Sequence, residues 1–497
     1  MPAQALAAVA TLLSFAPHGN HVELRLDHGS AEVVWVGGST FRFRRTLDGP
    51  LPAVSWIERK EVVTEADDTP GEVRLRSKYL EVSIQKHGLL VRVRKVDGSP
   101  LMADLSEPQP AGAGVAWERQ SPAGARFYGL GPSLEPGFDL RGKSVTSETP
   151  FLVCTAGYGE YHTAAPVRFD FTGGDRYRIE APQVDYFFYY GPTIKEIFDE
   201  HNSVRGRETP WSLSMGGPAT WEGLSASLLR LVHGAMSAML EPAFDLTPWA
   251  GAPSELVARA RQLGSLVPTT TAGAVGFSDL RQQLKTFFAS YVPELHDKGY
   301  PVWHPLPFQF PDDPECAAHA DEFMLGDEML VAPIYQPGGK RSLYLPQGVW
   351  TQLETNQVFQ GRRSITVETK ALPLFARNGM IVPLDSAGGM ALHYFPKLAA
   401  EFFLLDADVN DYSQVHAAPA VDIMRLQIES KKERVYQWVV HHIERPSVVS
   451  FGERKYRPVA SFQALDDRTW FYDAAQKNLH VRVAVKAGED CIINVAF

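Results

Sequence analysis

A chain of 497 residues is too long for one hydrophobic core and implies about three or four domains. Its 44% hydrophobic and 21% charged content is that of an ordinary globular protein, with no low-complexity tract. The net charge of −10, with no Lys/Arg block, excludes a general nucleic-acid binder or a membrane-surface patch.

Ala3–Ala16 is apolar and long enough for the core of a signal segment, which would imply secretion or a periplasmic location. Yet no Lys or Arg precedes it, and it runs into the strand-like HVELRLDHG. No other stretch approaches the roughly 18 uncharged apolar residues of a membrane span. VELRL, AEVVWV, TFRFRRTL, EVRLRS, LEVSIQ and LLVRVRKV follow as short alternating runs split by Gly, Asp-Gly and Pro turns. That pattern predicts a β-sandwich, with the interspersed charges on solvent faces.

At Pro192 the period changes. Ile194, Ile197 and Phe198 have helical spacing, with a start at Gly191–Thr193 and a stop at Gly206. GRETPW then breaks the chain. Further helices are predicted over Trp221–Leu240, over Ser254–Leu263 with Ser254 as cap, and over Leu280–Lys298. Strand candidates lie between them at EPAFDL and YPVWHPL. The alternation is that of α/β structure, but only about three units fit. After Pro311, runs such as MLVAPI, RSLYLP, MRLQIES and VYQWVVHHI predict two more small sandwiches, divided near Asp385–Gly389.

Cys154, Cys316 and Cys491 are odd in number and scattered, so free buried thiols and a reducing, cytoplasmic setting are expected. No Cys/His spacing matches a metal site. The adjacent histidines of His441–Glu444, read as strand residues, would face opposite ways and could not chelate. Gly129-x-Gly131 is too short for a nucleotide loop, so no cofactor is expected.

Several segments resemble glycoside hydrolase family 31, whose members include α-glucosidases and α-xylosidases. In family order these are FYGLG (Phe127–Gly131), LRGK (Leu140–Lys143), PFLVCTAGYGEY (Pro150–Tyr161) and DYFFYYGPTIKEIFDEHNSVRGR (Asp185–Arg207). FPDDPE, DEFMLGDEMLVAPI, YLPQGVW and LPLFARNGMIVPL come later. The resemblance implies a multidomain, mainly β fold. It would hold an N-terminal β-sandwich (1–208), a truncated (β/α) TIM-type barrel remnant (209–310) and two C-terminal β-sandwiches (311–385 and 386–497). The barrel region spans roughly 100 residues, whereas a full eight-fold barrel takes at least about 200.

The departures from the family pattern concern its chemistry. The resemblance implies a retaining mechanism, with one Asp as nucleophile and another as acid/base. The segment like WIDMNEP that would carry the nucleophile has no counterpart here. MGGPATWEGL (Met215–Leu224) is similar to the family's GDNxxxWxxL, and the acid/base Asp falls on Gly216. EPAFDLTPWAGAPSELVARARQLG is similar to the segment after it, and there Asp245 and Arg259 keep the family's Asp and Arg. His304 stands where the family has Arg.

Retaining hydrolysis needs two carboxyl groups about 5–5.5 Å apart, and glycine supplies neither. No catalytic residue is therefore assigned. Asp245, His304, Trp303, Trp249 and Arg259 are the candidate substrate-binding residues, the Trp rings for stacking on sugars. The chain reads as a catalytically degenerate scaffold binding an α-linked carbohydrate or a protein. The alternative is an active α-glycosidase using displaced or partner-supplied carboxylates. An incomplete barrel would leave open edges and apolar helix faces, so a homo-oligomer or association with an intact family member is expected.

Overall fold

A computed structural model describes residues 9–54, 61–205, 211–406 and 411–497. The described residues are mostly β, with 41 strands and six α-helices. They form two compact units: Met1–Leu213, His233–Glu241 and Asp297–Pro301 in one, Ser214–Val232, Pro242–His296 and Val302–Phe497 in the other. No helix among the described residues is long and apolar enough to cross a membrane.

In the first unit every N-terminal run named above is a strand. An eight-stranded sheet is ordered Leu12–His18, His21–Leu26, Ser30–Gly37, Thr40–Arg45, Val184–Tyr190, Tyr158–His162, Phe151–Cys154 and Phe127–Gly129. Two five-stranded sheets accompany it, and one apolar core draws on all three through Trp35, Phe43, Val82, Val93, Trp117 and Ile179. Of the apolar Ala3–Ala16 segment, Leu12–Ala16 lies in the edge strand paired with His21–Leu26, and residues 3–8 lie outside the described set.

Glu23 and Arg25 face solvent as the alternation predicts, but other strand charges do not. Arg42, Arg44, Glu32 and Asp185 are buried. Register explains how they are tolerated: Glu32 and Asp185 both lie opposite Arg44, on either side of its strand. Arg44 bonds Glu32 at 2.7 Å, and Arg42 grips Asp185 through two bonds of 2.7 and 2.8 Å. A second set lies deeper, where Arg119 pairs with Asp104 at 2.8 Å and with Glu160. Buried charge persists when each ion finds a partner in a fixed geometry.

Helix α1 spans Ile194–Arg205 and buries Ile194, Ile197 and Phe198, as the spacing requires. Thr193 and Glu196 start it as a capping box. The Glu196 amide donates to Thr193 Oγ1, and Glu196 Oε2 accepts from the Thr193 amide. The predicted stop at Gly206 and most of GRETPW fall outside the described residues.

Helix α2 covers Trp221–Met236 and ends four residues before the predicted Leu240. The chain turns at Ala238, at φ 55°, and the Met239 amide returns to the Gly234 carbonyl. Helix α3 covers Ser254–Gly264, with Pro253 rather than Ser254 at its N-cap and no side-chain cap bond. The helix predicted over Leu280–Lys298 is two helices, α4 (Asp279–Gln283) and α5 (Lys285–Lys298), with Leu284 as the break.

Strands alternate with α2 and α3. Glu241–Asp245 runs parallel to Thr269–Thr271, as a strand–helix–strand crossover requires. The YPVWHPL strand does not extend this sheet. Trp303–Pro305 pairs antiparallel with Phe323–Leu325, in a six-stranded sheet with Met329–Val331, Leu374–Arg377, Val349–Gln352 and Val358–Gln360. The Asp385–Gly389 turn closes a hairpin between Ile381–Ser386 and Gly389–Tyr394 within one sheet, so it does not divide two sheets. That hairpin lies in one of two further six-stranded sheets, and Lys340–Leu345 with Arg363–Glu368 forms a two-stranded one.

Candidate functional site

The five candidate residues all lie in the second unit, and each has its own partners. Asp245 ends its strand in the open. Its Oδ1 accepts the Thr247 amide at 2.9 Å, and the Thr247 side chain and amide hold the carboxyl below its usual range. A carboxylate so favoured in its ionised form is poorly suited to general-acid work. Gly216 is also exposed. A side chain there would meet only the Ser214 hydroxyl, 3.4 Å from the Cβ position, and the Gly216 carbonyl accepts from Arg230 Nη1 at 2.6 Å.

The aromatic candidates face inward. Trp249 is fully buried and meets Phe244 edge-on, with ring centres 5.9 Å apart. Trp303 is buried, and its Nε1–H donates to the Leu266 carbonyl at 2.9 Å. Neither ring offers a free face for stacking on a sugar. His304 is wholly buried among Phe308 and Tyr291, with Nδ1 3.2 Å from Gln309 Oε1 and 3.4 Å from Asp327 Oδ1. Since its strand pairs antiparallel in another sheet, the common strand-end face of a barrel does not join His304 to Asp245.

Arg259 is a fastening residue. Nη1 donates to the carbonyls of Lys370 and Ala371 at 2.9 and 3.1 Å, and Nη2 to that of Thr369 at 2.7 Å. It borders a groove of about 690 Å³ with Glu255, Gly339, Glu368 and Lys370. With its donors committed to backbone and to Gln262 Oε1, the guanidinium shapes one wall of the groove.

Three clusters of ionisable groups were not foreseen. Beside His304, Glu328 is buried and accepts the Tyr291 hydroxyl at 2.6 Å, and burial pushes its carboxyl up to about 8. In His319–Glu322, His319, Asp321 and Glu322 bring potential ligand atoms within 4.8 Å of one another. Burial lifts Glu322 to about 8 as well. The His-x-Asp-Glu run was the only sequence signal, and its two acids lay inside a motif read for family resemblance. His441 and His442 lie beyond the strand Arg434–Val440, not on it, and His442 has φ 55°. His441 instead contacts His393, Nε2 to Nδ1 at 3.0 Å, and Asn356 Oδ1 at 2.8 Å. All three cysteines are free and buried, as expected.

These sheets and their order define a β-rich multidomain fold also seen in solved carbohydrate enzymes. A family 31 dextranase of Flavobacterium johnsoniae, complexed with isomaltotriose, superposes with a TM-score of 0.85 at 13% identity, over 99% of this chain and 100% of that one. Residues 299–382 match the model of the glycosyl hydrolase family 31 C-terminal domain. An α-glucosidase of Saccharolobus solfataricus is 34% identical over 107 residues, 22% of this chain and 15% of that protein. A SITS-binding protein of Tetronarce californica is 42% identical over 74 residues, 14% of this chain and 11% of that protein. The matched domain, these relatives and the shared fold support membership of glycosyl hydrolase family 31. Its aligned stretch spans about a seventh of the curated α-glucosidases it matches, 15% and 14% of their lengths.

Proposed function

We propose that this family 31 protein is a non-catalytic scaffold that binds a carbohydrate or a protein. The observation that carries this reading is Gly216, which stands at the acid/base position with no carboxylate of its own. Asp245, the nearest retained family acid in the sequence, is tied to Thr247 in the open. Without an acid and a nucleophile a few ångströms apart, glycoside cleavage loses both chemical steps. The burial of Trp249, Trp303 and His304 supports the same reading, because residues that could stack on or bond a sugar serve packing instead. The SITS-binding relative is named for binding rather than for hydrolysis.

The layout that goes with this reading is an N-terminal sandwich over 1–208, a barrel remnant over 209–310 and two sandwiches over 311–385 and 386–497. Association with another copy or an intact family member, and a cytoplasmic location for the buried free thiols, belong to the same proposal.

The test is a sensitive assay on aryl α-glucosides and α-xylosides, with epoxide labelling of carboxylates and calorimetry against α-linked gluco-oligosaccharides. We expect no turnover and no labelled Asp or Glu. Stoichiometric labelling of one carboxylate, with turnover lost on its mutation, would favour the active glycosidase. Calorimetry then separates carbohydrate binding from protein binding.

A further inference from the structure

We propose that His319, Asp321 and Glu322 form a binding site for one divalent transition-metal cation of the zinc type. The local chain supplies the geometry. The short 3-10 helix Pro314–Ala318 and the turn after it bring His319 up to the start of the strand Phe323–Leu325. The potential ligand atoms of the three residues lie within 4.8 Å of one another. His319 Nδ1 stands 3.5 Å from Glu322 Oε1. Two ligands about 2.0–2.1 Å from a tetrahedral ion are separated by roughly 3.3 Å, so this pair needs little adjustment.

The second observation is Glu322 itself. Its side chain is fully buried. Oε1 accepts the Tyr344 amide at 2.9 Å, while Oε2 has no hydrogen-bond partner and only a long ion pair, 3.9 Å, with Arg341 Nη2. Buried carboxylate oxygens are normally paired. A cation bound by this carboxylate beside His319 would offset the charge that Arg341 alone leaves on it.

The surroundings orient the set. Arg341 Nη1 and the Tyr335 hydroxyl both donate to Asp321 Oδ2, at 2.8 and 2.6 Å, which leaves Oδ1 as the ligand oxygen. The His319 ring is stacked on Tyr344 at 5.1 Å, and its Nε2 faces Glu315 Oε1 at 3.5 Å. A carboxylate behind the ring nitrogen opposite the metal is a common way to fix a ligating histidine. About a fifth of the His319 and Asp321 side chains is exposed, so an ion has a way in. One imidazole and two carboxylates suit Zn²⁺ or Co²⁺ better than Ca²⁺, which takes six to eight oxygens. The competing reading is a closed ion-pair cluster neutralised by Arg341 alone.

The experiment uses the full chain, stripped with chelator and titrated with Zn²⁺ by calorimetry and with Co²⁺ by visible absorption. We expect one saturable site per chain and the intense absorption of tetrahedral Co²⁺. Affinity should fall at least about tenfold in His319→Gln, a variant at a partly exposed position. Asp321→Asn should act likewise, and His442→Gln, outside the cluster, should leave binding unchanged. Failure of the wild type to bind below millimolar Zn²⁺, or binding that His319→Gln leaves unaltered, overturns the proposal. If a ligand variant does not fold, loss of the imidazole contribution to the Co²⁺ spectrum on alkylation of His319 decides instead.

Discussion

Glu328→Gln isolates a single buried acid. In the fold the Glu328 carboxyl is 5% exposed, accepts the Tyr291 hydroxyl and lies beside Asp327, and burial lifts it from the ordinary 4.5 to about 8. Below about pH 4.5 the group holds its proton folded or unfolded and imposes no pH dependence. Above that, the unfolded chain ionises it while the fold retains the proton, so stability falls steadily until about pH 8 and then levels off. At about 1.4 kcal/mol per pH unit, the interval from 4.5 to 8 sets an upper limit of about 5 kcal/mol on this loss. Relaxation of the site makes about 2–4 kcal/mol the working expectation. Glutamine matches the protonated acid in size and still accepts from Tyr291, but it does not ionise. Urea unfolding followed by tryptophan fluorescence at pH 5, 6, 7 and 8 should give a clearly shallower decline for the variant. Some slope will remain, because Glu322 is raised in the same way. Parallel profiles for the two proteins would refute the assignment of the buried proton to Glu328.

Three further outcomes follow from the same contacts. Burial holds His393 down at about 4 and His441 lower than an ordinary histidine. Their stabilisation is therefore complete above about pH 6.5 and lost on acidification towards 4, so His393→Gln should flatten the acid limb of a Tm–pH profile. Gly216→Asp should fold with a Tm close to wild type, since the Cβ position is open. It should still not turn over an aryl α-glucoside, and turnover would show that only one carboxylate was lacking. Arg259→Ala removes three bonds to the carbonyls of Thr369, Lys370 and Ala371 and should lower the unfolding free energy by about 2–4 kcal/mol in a urea titration.

What the sequence by itself determined rests on local physics. Period-2 alternation and Gly or Pro turns located the N-terminal strands, because a strand's faces are set by adjacent residues. Ile194, Ile197 and Phe198 marked α1 because a 3.6-residue period needs only one apolar stripe. The motifs gave the family resemblance, and Gly216 fell where that family's pattern has an acid. What only the tertiary structure decided rests on contacts distant in sequence. Arg42 and Arg44 read as surface charges until strand register set them against Asp185 and Glu32, from neighbouring strands. Trp303–Pro305 read as the next strand of the α/β alternation until it paired antiparallel with Phe323–Leu325. Trp249 and Arg259 kept the residue types of a sugar pocket, but one packs on Phe244 and the other holds the 369–371 backbone. A residue type records which interactions are available; burial and distance determine which of them it makes.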